Sequence, residues 1–281
     1  MLNRLRIVAE TGCAHGRSYA KCLAMIHHAH QIGADAVKFS VFRPSEMTVD
    51  SDEPPFVISQ GPWAGKQLYE LYEQSALRYE WIPDLKRAAQ AVGLEFIVAV
   101  YHPNTVAYLE PWGIHTVKIS SFELAYHELL EAIAQESCVK HVILSTGSAR
   151  EIEIASALSI LKDKQLTLLH CVSAYPAPPE QMNLETLVDL KKFGVDVGLS
   201  DHTTGLTAPV MAVAMGASLI EKHIQLDSEN LDSSFAVFPD RFKMMVEVCR
   251  QAEMMLGEVT YDKAKTYHRK KINGHYMRIV W

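Results

Sequence analysis

The strongest constraint on this chain is an alternation repeated eight times: a short β-branched, apolar run, then a longer stretch with helical spacing. The runs read as strands at Arg6–Glu10, Ala36–Phe42, Glu95–Val100, Thr116–Ser120, His141–Ser145, Leu166–Cys171, Asp196–Ser200 and Ser218–His223. Each is nearly continuous in apolar character, as parallel strands covered on both faces are. Between and after them the spacing predicts helices at Ser18–Gln31, Lys66–Glu73, Trp81–Ala91, 104–110, His127–Gln135, Ala149–Leu161, Asn183–Lys192, Thr207–Met215 and Pro239–Leu256. Such alternation folds as a closed α/β barrel or as an open doubly wound sheet. Eight units without a G-x-G-x-x-G turn favour the (β/α)8 TIM barrel, and a chain of 281 residues suits one. Residues 1–260 are assigned to the barrel. Residues 261–281 are assigned to a C-terminal tail carrying Arg269, Lys270 and Lys271, read as a solvated surface or a subunit contact.

A net charge of -6 weighs against nucleic acid as a partner, because phosphate binding calls for a basic surface. The five cysteines are odd in number and include no C-x-x-C pair, so neither a disulfide framework nor a structural zinc site is expected. The sequence opens without a secretory signal and contains no apolar run long enough to span a bilayer. These features predict a cytoplasmic protein with no membrane partner.

Position makes the polar residues informative. In a (β/α)8 barrel the loops after the strands build the active site, and nearly every strand here ends in a polar residue. The first ends at Glu10 and the second carries Lys38 and Ser40. The fourth carries Lys118, with Ser121 and Glu123 just beyond. The fifth ends in Ser145-Thr146-Gly147, and the sixth at His170 with Ser173 and Tyr175 following. The last two end in Ser200-Asp201-His202 and Glu221-Lys222-His223. Charges are costly in a barrel interior unless paired or bound to ligand, so a ring of them implies a polar cavity. His202 and His223, on adjacent strand ends, suit a divalent metal, with a carboxylate such as Glu10 to complete the shell; the bland alternative is two hydrogen-bonded core histidines. Lys38 and Lys118 point where a phosphate or carboxylate could lie, or else pair with Glu10, Glu123 or Glu221. Arg43–Ala64, long and rich in proline and acidic residues, is a candidate substrate loop. His27, His28 and His30 are read as lying outside the barrel, and the methionines at 244, 245, 254 and 255 as core packing.

The pieces AETG with His15, GADAVKF, VKISSFE, VILSTGS, LLHCVSAYPAPPE, GLSDHT and GASLIEKH resemble, in this order, the sialic acid synthase family. The resemblance spans about residues 7–257. It implies a metal-dependent transferase that condenses phosphoenolpyruvate with an amino-sugar aldehyde to a 3-deoxy-2-keto acid and releases phosphate. Carried over, His202 and His223 are the metal ligands, for manganese or else magnesium or cobalt. Lys38, Lys118, Ser121, Ser145, Ser173 and Ser200 contact phosphoenolpyruvate, Glu10 and Glu123 are acid–base groups, and Tyr175 and Asp232 match sugar-side positions.

The chain departs from the family pattern near these positions. Ala14-His15-Gly16-Arg17 stands where N-H-N-G is usual, and Ser40 stands in place of a glutamine. Val98-Ala99-Val100 replaces Ser-Thr-Pro, removing a hydroxyl expected near the phosphate, and Asn230-Leu231-Asp232-Ser233 is a shortened loop. Typical members also carry a C-terminal antifreeze-like domain that reaches over the partner's barrel in a dimer, and this sequence stops before one. The resemblance implies a homodimer whose sugar side is open, covered by Arg43–Ala64, or completed by another protein. Two other functions remain consistent with the residues: a different metal-dependent aldolase or isomerase acting on keto sugars, and a non-catalytic sugar-phosphate-binding subunit.

Overall fold

The computed structural model describes residues 4–61, 63–259, 261 and 267–280. Eight strands, β1 (Arg6–Glu10), β2 (Ala36–Val41), β3 (Glu95–Val100), β4 (Thr116–Ile119), β5 (His141–Ser145), β6 (Gln165–Cys171), β7 (Asp196–Asp201) and β8 (Leu219–His223), form a closed barrel. Every neighbouring pair is parallel, and β8 returns to β1 with Glu10 opposite His223. The predicted (β/α)8 architecture is therefore the observed one.

Local chemistry sets the helix limits. Ser18 is the N-cap of the helix Tyr19–Gln31, its hydroxyl accepting from the Lys21 N–H, rather than its first residue. The helix expected over 104–110 is two short turns, Pro103–Val106 and Leu109–Trp112. Pro111 has no N–H to return to the carbonyl four residues earlier, so a single helix cannot run through this stretch. The helix expected over Asn183–Lys192 is shortened to Glu185–Leu190, and Asn183 sits at a φ of 42° just before it.

The alternation of side chains along each strand divides the interior into layers. Val8, Ala36, Ile97, Ile143, Leu169 and Leu219 form a small apolar cluster inside the barrel, separate from the larger core between strands and helices. Below it, the N-terminal end is closed by polar contacts: Arg6 bonds Glu95 and lies 3.2 Å from His141, which lies 2.9 Å from Thr167. Two residues further along the same strands come Glu10, Lys38, Ala99, Ser145, Cys171 and Glu221. The apolar cluster is thus the floor of whatever these residues build.

The outward-facing residues obey the same parity. His170 does not join the inner ring, since its Nε2 lies 2.6 Å from the Met182 carbonyl. Asp201 and Lys222 also face outward, as a buried ion pair 2.5 Å apart with both side chains at 0% exposure. Of the methionines assigned to the core, only Met245 is buried; Met244, Met254 and Met255 are 53%, 73% and 80% exposed on the outer helix Pro239–Leu256. The periodicity of that helix leaves one face toward the barrel, and these residues lie off it. His27 and His30 are exposed and His28 half-buried, on the outer helix as expected.

The tail contains an element that its composition did not announce. Strands β9 (Tyr267–Ile272) and β10 (His275–Val280) form a separate antiparallel hairpin, with Arg269, Lys270 and Lys271 in β9. The turn is Asn273-Gly274, both at positive φ, the residue pair that a two-residue hairpin turn favours.

Removing one partner from a buried ion pair leaves an uncompensated charge, whereas removing both does not. Lys222→Met is expected to destabilise the barrel by about 3–5 kcal/mol, and Asp201→Leu in the same chain to restore most of the loss. Urea denaturation of the two variants checks this; equal stabilities would show that the pair contributes nothing.

Candidate active site

The second interior layer is a compact charge cluster. Lys38 Nζ lies 2.8 Å from Glu10 Oε2 and 3.1 Å from Glu221 Oε2, and Lys118 Nζ lies 4.0 Å from Glu221 Oε1. All four residues are at most 4% exposed. Lys118 also donates to Ser145 Oγ at 2.6 Å, and Ser200 donates to Glu221 Oε1 at 2.9 Å. Lys38 and Lys118 thus pair with buried carboxylates, as their alternative reading proposed, but they do so on the wall of a cavity.

The pKa shifts follow from this arrangement. Burial alone would strip the proton from Lys38, but Glu10 and Glu221 outweigh it and hold its pKa above the ordinary value. For Lys118 burial wins over the attraction of Glu221, and its pKa is lowered. Burial opposes the charge on Glu221, but Lys38 and Lys118 more than compensate and keep it ionised.

At the top of the barrel, His202 and His223 approach with ring centroids 5.4 Å apart. His202 Nδ1 lies 3.0 Å from the Val172 carbonyl, which can only accept, so this nitrogen carries the proton. His223 Nδ1 lies 2.9 Å from Asp232 Oδ2. Both contacts engage Nδ1 and leave Nε2 turned away from these partners, the orientation that metal-ligating histidines are given by their outer partners. Burial, then His223, lowers the His202 pKa to about 3, so the ring is neutral, as a ligand must be. The histidine pair therefore fits a divalent ion that takes its other ligands from water or substrate. Among the described residues no three His, Cys, Asp or Glu side chains converge on one point. Glu10, which the sequence suggested as a third ligand, is instead turned toward the Gly12 N–H at 2.7 Å and toward Lys38.

Gly12 explains how the first turn reaches this site. At a φ of 47° its missing Cβ would lie 1.9 Å from Asp232 Oδ2 and 2.6 Å from His223 Nδ1, so only glycine fits. The next N–H, of Cys13, donates to Asp232 Oδ2 at 2.9 Å. The shortened loop thus anchors its aspartate on β1 and β8, and Asp232 orients His223 while reaching the cavity wall.

All the candidate residues except Glu123 line one cavity of about 310 Å³. Ser121 Oγ accepts from the Gly147 N–H at 3.1 Å, and Ser173 Oγ is buried with no nitrogen or oxygen partner among the described residues. Tyr175 packs on His202, with centroids 4.5 Å apart. Glu123 sits in the turn after β4, half-buried, with Oε2 unpartnered among the described residues. Burial raises its pKa to about 7, against the pull of its own backbone N–H and of Lys118. His15 is fully buried, accepts from the Arg17 N–H and does not line the cavity.

The Arg43–Ala64 segment lies over the cavity through Ile58 and Trp63, whose indole N–H donates to the Leu231 carbonyl at 3.1 Å. Sequence reading placed Glu221 in the polar ring and as a partner of the lysines, but did not single out Tyr101 or Trp63. Glu221 was legible by parity, two residues before His223 on the same face. Tyr101 and Trp63 lie in connections, where no periodicity points inward.

Comparison with known proteins adds a second kind of evidence. A model described as "NeuB family" matches residues 25–261. The chain belongs to the NeuB family. It is 41% identical over 262 residues to a pseudaminic acid synthase of Campylobacter jejuni, an alignment covering 91% of this chain and 76% of that protein. It is 32% identical over 281 residues to an N,N'-diacetyllegionaminic acid synthase of the same species, covering 97% of this chain and 83% of that one. Among solved structures, the N-acetylneuraminic acid synthetase of Leptospira borgpetersenii in complex with citrate superposes with a TM-score of 0.84 at 29% identity, covering 93% and 88% of the two chains. The family membership and the barrel agree with the resemblance read from the motifs.

The raised Glu123 pKa has a measurable consequence. Folded, the carboxyl keeps its proton to about pH 7; its ordinary value is 4.5. Between these values the native state binds the extra proton, so stability falls as pH rises and levels off above the folded value. Glu123→Gln should remove that part of the decline, measured as the wild-type-minus-variant difference in unfolding free energy from pH 4 to 8. A difference that does not change with pH would show that Glu123 titrates normally.

Proposed function

We propose that the chain condenses phosphoenolpyruvate with a sugar aldehyde to form a nonulosonic-type 3-deoxy-2-keto acid, releasing phosphate. The observation that carries this reading is the buried Glu10–Lys38–Glu221–Lys118 cluster, open to a cavity whose rim holds two oriented histidines. Membership of the NeuB family, with relatives named as synthases of such acids, supports the same reaction class.

In this reading Lys38 and Lys118 exchange part of their contact with Glu10 and Glu221 for the anionic groups of phosphoenolpyruvate. Ser145 and Ser121 each already accept one hydrogen bond, which leaves their hydroxyl protons free to donate to it. Holding the enol carbon against the aldehyde converts an encounter into an intramolecular step. A divalent ion on His202 and His223, proposed as manganese with magnesium or cobalt as substitutes, would polarise the aldehyde oxygen. The enol carbon bonds to the aldehyde carbon, and the adjoining carbon becomes oxocarbenium-like. Water adds there, Glu123 takes its proton, and the resulting adduct expels phosphate. Glu10, a carboxylate held by the Gly12 N–H and Lys38, is proposed to relay to the new alkoxide a proton taken up from solvent. Tyr175 and Asp232 are proposed to border the sugar, with Ile58 and Trp63 covering that side.

We further propose a homodimer working in the cytoplasm. Exposed Met244, Met254 and Met255 on the outer helix Pro239–Leu256 give the dimer an apolar surface to use. No helix among the described residues is long and apolar enough to cross a membrane.

Phosphate release from phosphoenolpyruvate, measured with manganese across a panel of amino-sugar and neutral-sugar aldehydes, tests the reaction. Release that depends on one sugar, with a 3-deoxy-2-keto acid by mass, is expected; no release with any of them counts against it. Chelator should abolish turnover and manganese restore it, and His202→Ala should lose the metal while remaining folded. Lys118→Ala should raise the KM for phosphoenolpyruvate more than that for the sugar. Turnover should rise with pH through about 7 as Glu123 ionises, and a Glu123→Gln variant with near-wild-type turnover would remove that residue from the mechanism.

A further inference from the structure

The charge cluster leaves an electrostatic problem that its lysines do not solve alone. Lys38 and Lys118 are balanced by Glu10 and Glu221, so the inner ring has no net positive charge for a substrate carrying both a carboxylate and a phosphate. Neutral donors must then supplement the lysines in binding it. Ser200 is already committed to Glu221, which leaves the hydroxyls higher on the wall.

Ser40, Tyr101 and Ser120 lie on the inward faces at the ends of three neighbouring strands, and all three line the cavity. Ser40 Oγ and Tyr101 Oη are 2.9 Å apart, and Ser120 lines the cavity beside them. The register puts Ala99 between Ser40 of β2 and Lys118 of β4, so β3 contributes only a methyl group at that level. Tyr101 follows on the same face of the chain. Its ring is held edge-on against Phe42, with centroids 5.4 Å apart.

We propose that the Tyr101 hydroxyl, flanked by Ser40 and Ser120, is a substrate-binding group that donates a hydrogen bond to one oxyanion end of phosphoenolpyruvate beside Lys38. This rests on the reaction proposed above. A hydroxyl pair shares one proton internally and keeps the other for a ligand, so the wall needs no rearrangement to bind. Burial raises the phenol's pKa, with Lys38 opposing and Glu10 reinforcing, so Tyr101 remains a protonated donor throughout the neutral range.

Tyr101→Phe removes one oxygen atom and keeps the ring against Phe42. Phosphoenolpyruvate is titrated into wild type and variant by calorimetry, and steady-state constants are measured for both substrates. The variant should bind phosphoenolpyruvate about tenfold or more weakly, the loss of one hydrogen bond to a charged group. The sugar KM and the thermal midpoint should stay unchanged. Ser40→Ala should shift the same constant in the same direction. Unchanged phosphoenolpyruvate affinity in Tyr101→Phe overturns the proposal, as does a rise confined to the sugar KM, which would turn the phenol toward the acceptor. Parallel loss of both affinities with a lowered midpoint overturns it too, by making the residue structural. Wild-type protein that binds no phosphoenolpyruvate is a different result: it removes the proposed reaction itself, and this inference with it.

Discussion

Two lysines and two carboxylates buried in one layer of a barrel interior are the interaction on which the site depends. None of the four is tolerable there alone, because burial penalises each charge by several kcal/mol. Together they make a near-neutral cluster in which Glu221 contacts both lysines and Glu10 fixes Lys38. Such a cluster is poor value as a stabiliser but holds its members in defined positions before substrate arrives. The apolar layer beneath it, from Val8 to Leu219, keeps water from reaching it through the barrel.

The same strands set the histidine pair. Ser200–Glu221 inside and Asp201–Lys222 outside tie β7 to β8 on both faces, two and one residues before His202 and His223. Asp232 then returns from the following loop to fix His223 and to hold the turn at Gly12. The loop differs from the usual family sequence, but its aspartate still orients a histidine ring. The departures at Ser40 and Val98–Val100 have a similar physical context. Where β3 offers no hydroxyl, the next inward residue is a tyrosine bonded to Ser40.

The sequence determined the barrel, because eight apolar runs alternating with helical spacing leave no other closed arrangement, and the parity of two along each strand placed Glu10, Lys38, Lys118, Ser200, His202 and His223 on one face. Grouped by position at the strand ends alone, without that parity, the polar residues were not divided into inner and outer sets. His170, Asp201 and Lys222 looked equivalent to their neighbours and face the helices instead. The exposed methionines were misplaced for a related reason: composition says that methionine is apolar, but only packing says which side of a helix is covered.

Pairing across the barrel was decided by tertiary structure alone. That Lys38 meets Glu10 and Glu221, that Asp232 accepts from the Cys13 N–H, and that Trp63 reaches Leu231 are contacts between residues far apart in the chain, brought together by closure of the sheet. The raised pKa of Glu123 and the neutral state of His202 belong to the same category, since both arise from burial and nearby charge rather than residue type. Local pattern encodes which way a side chain points; the distance and dielectric that give it a chemical role exist only once the barrel is closed.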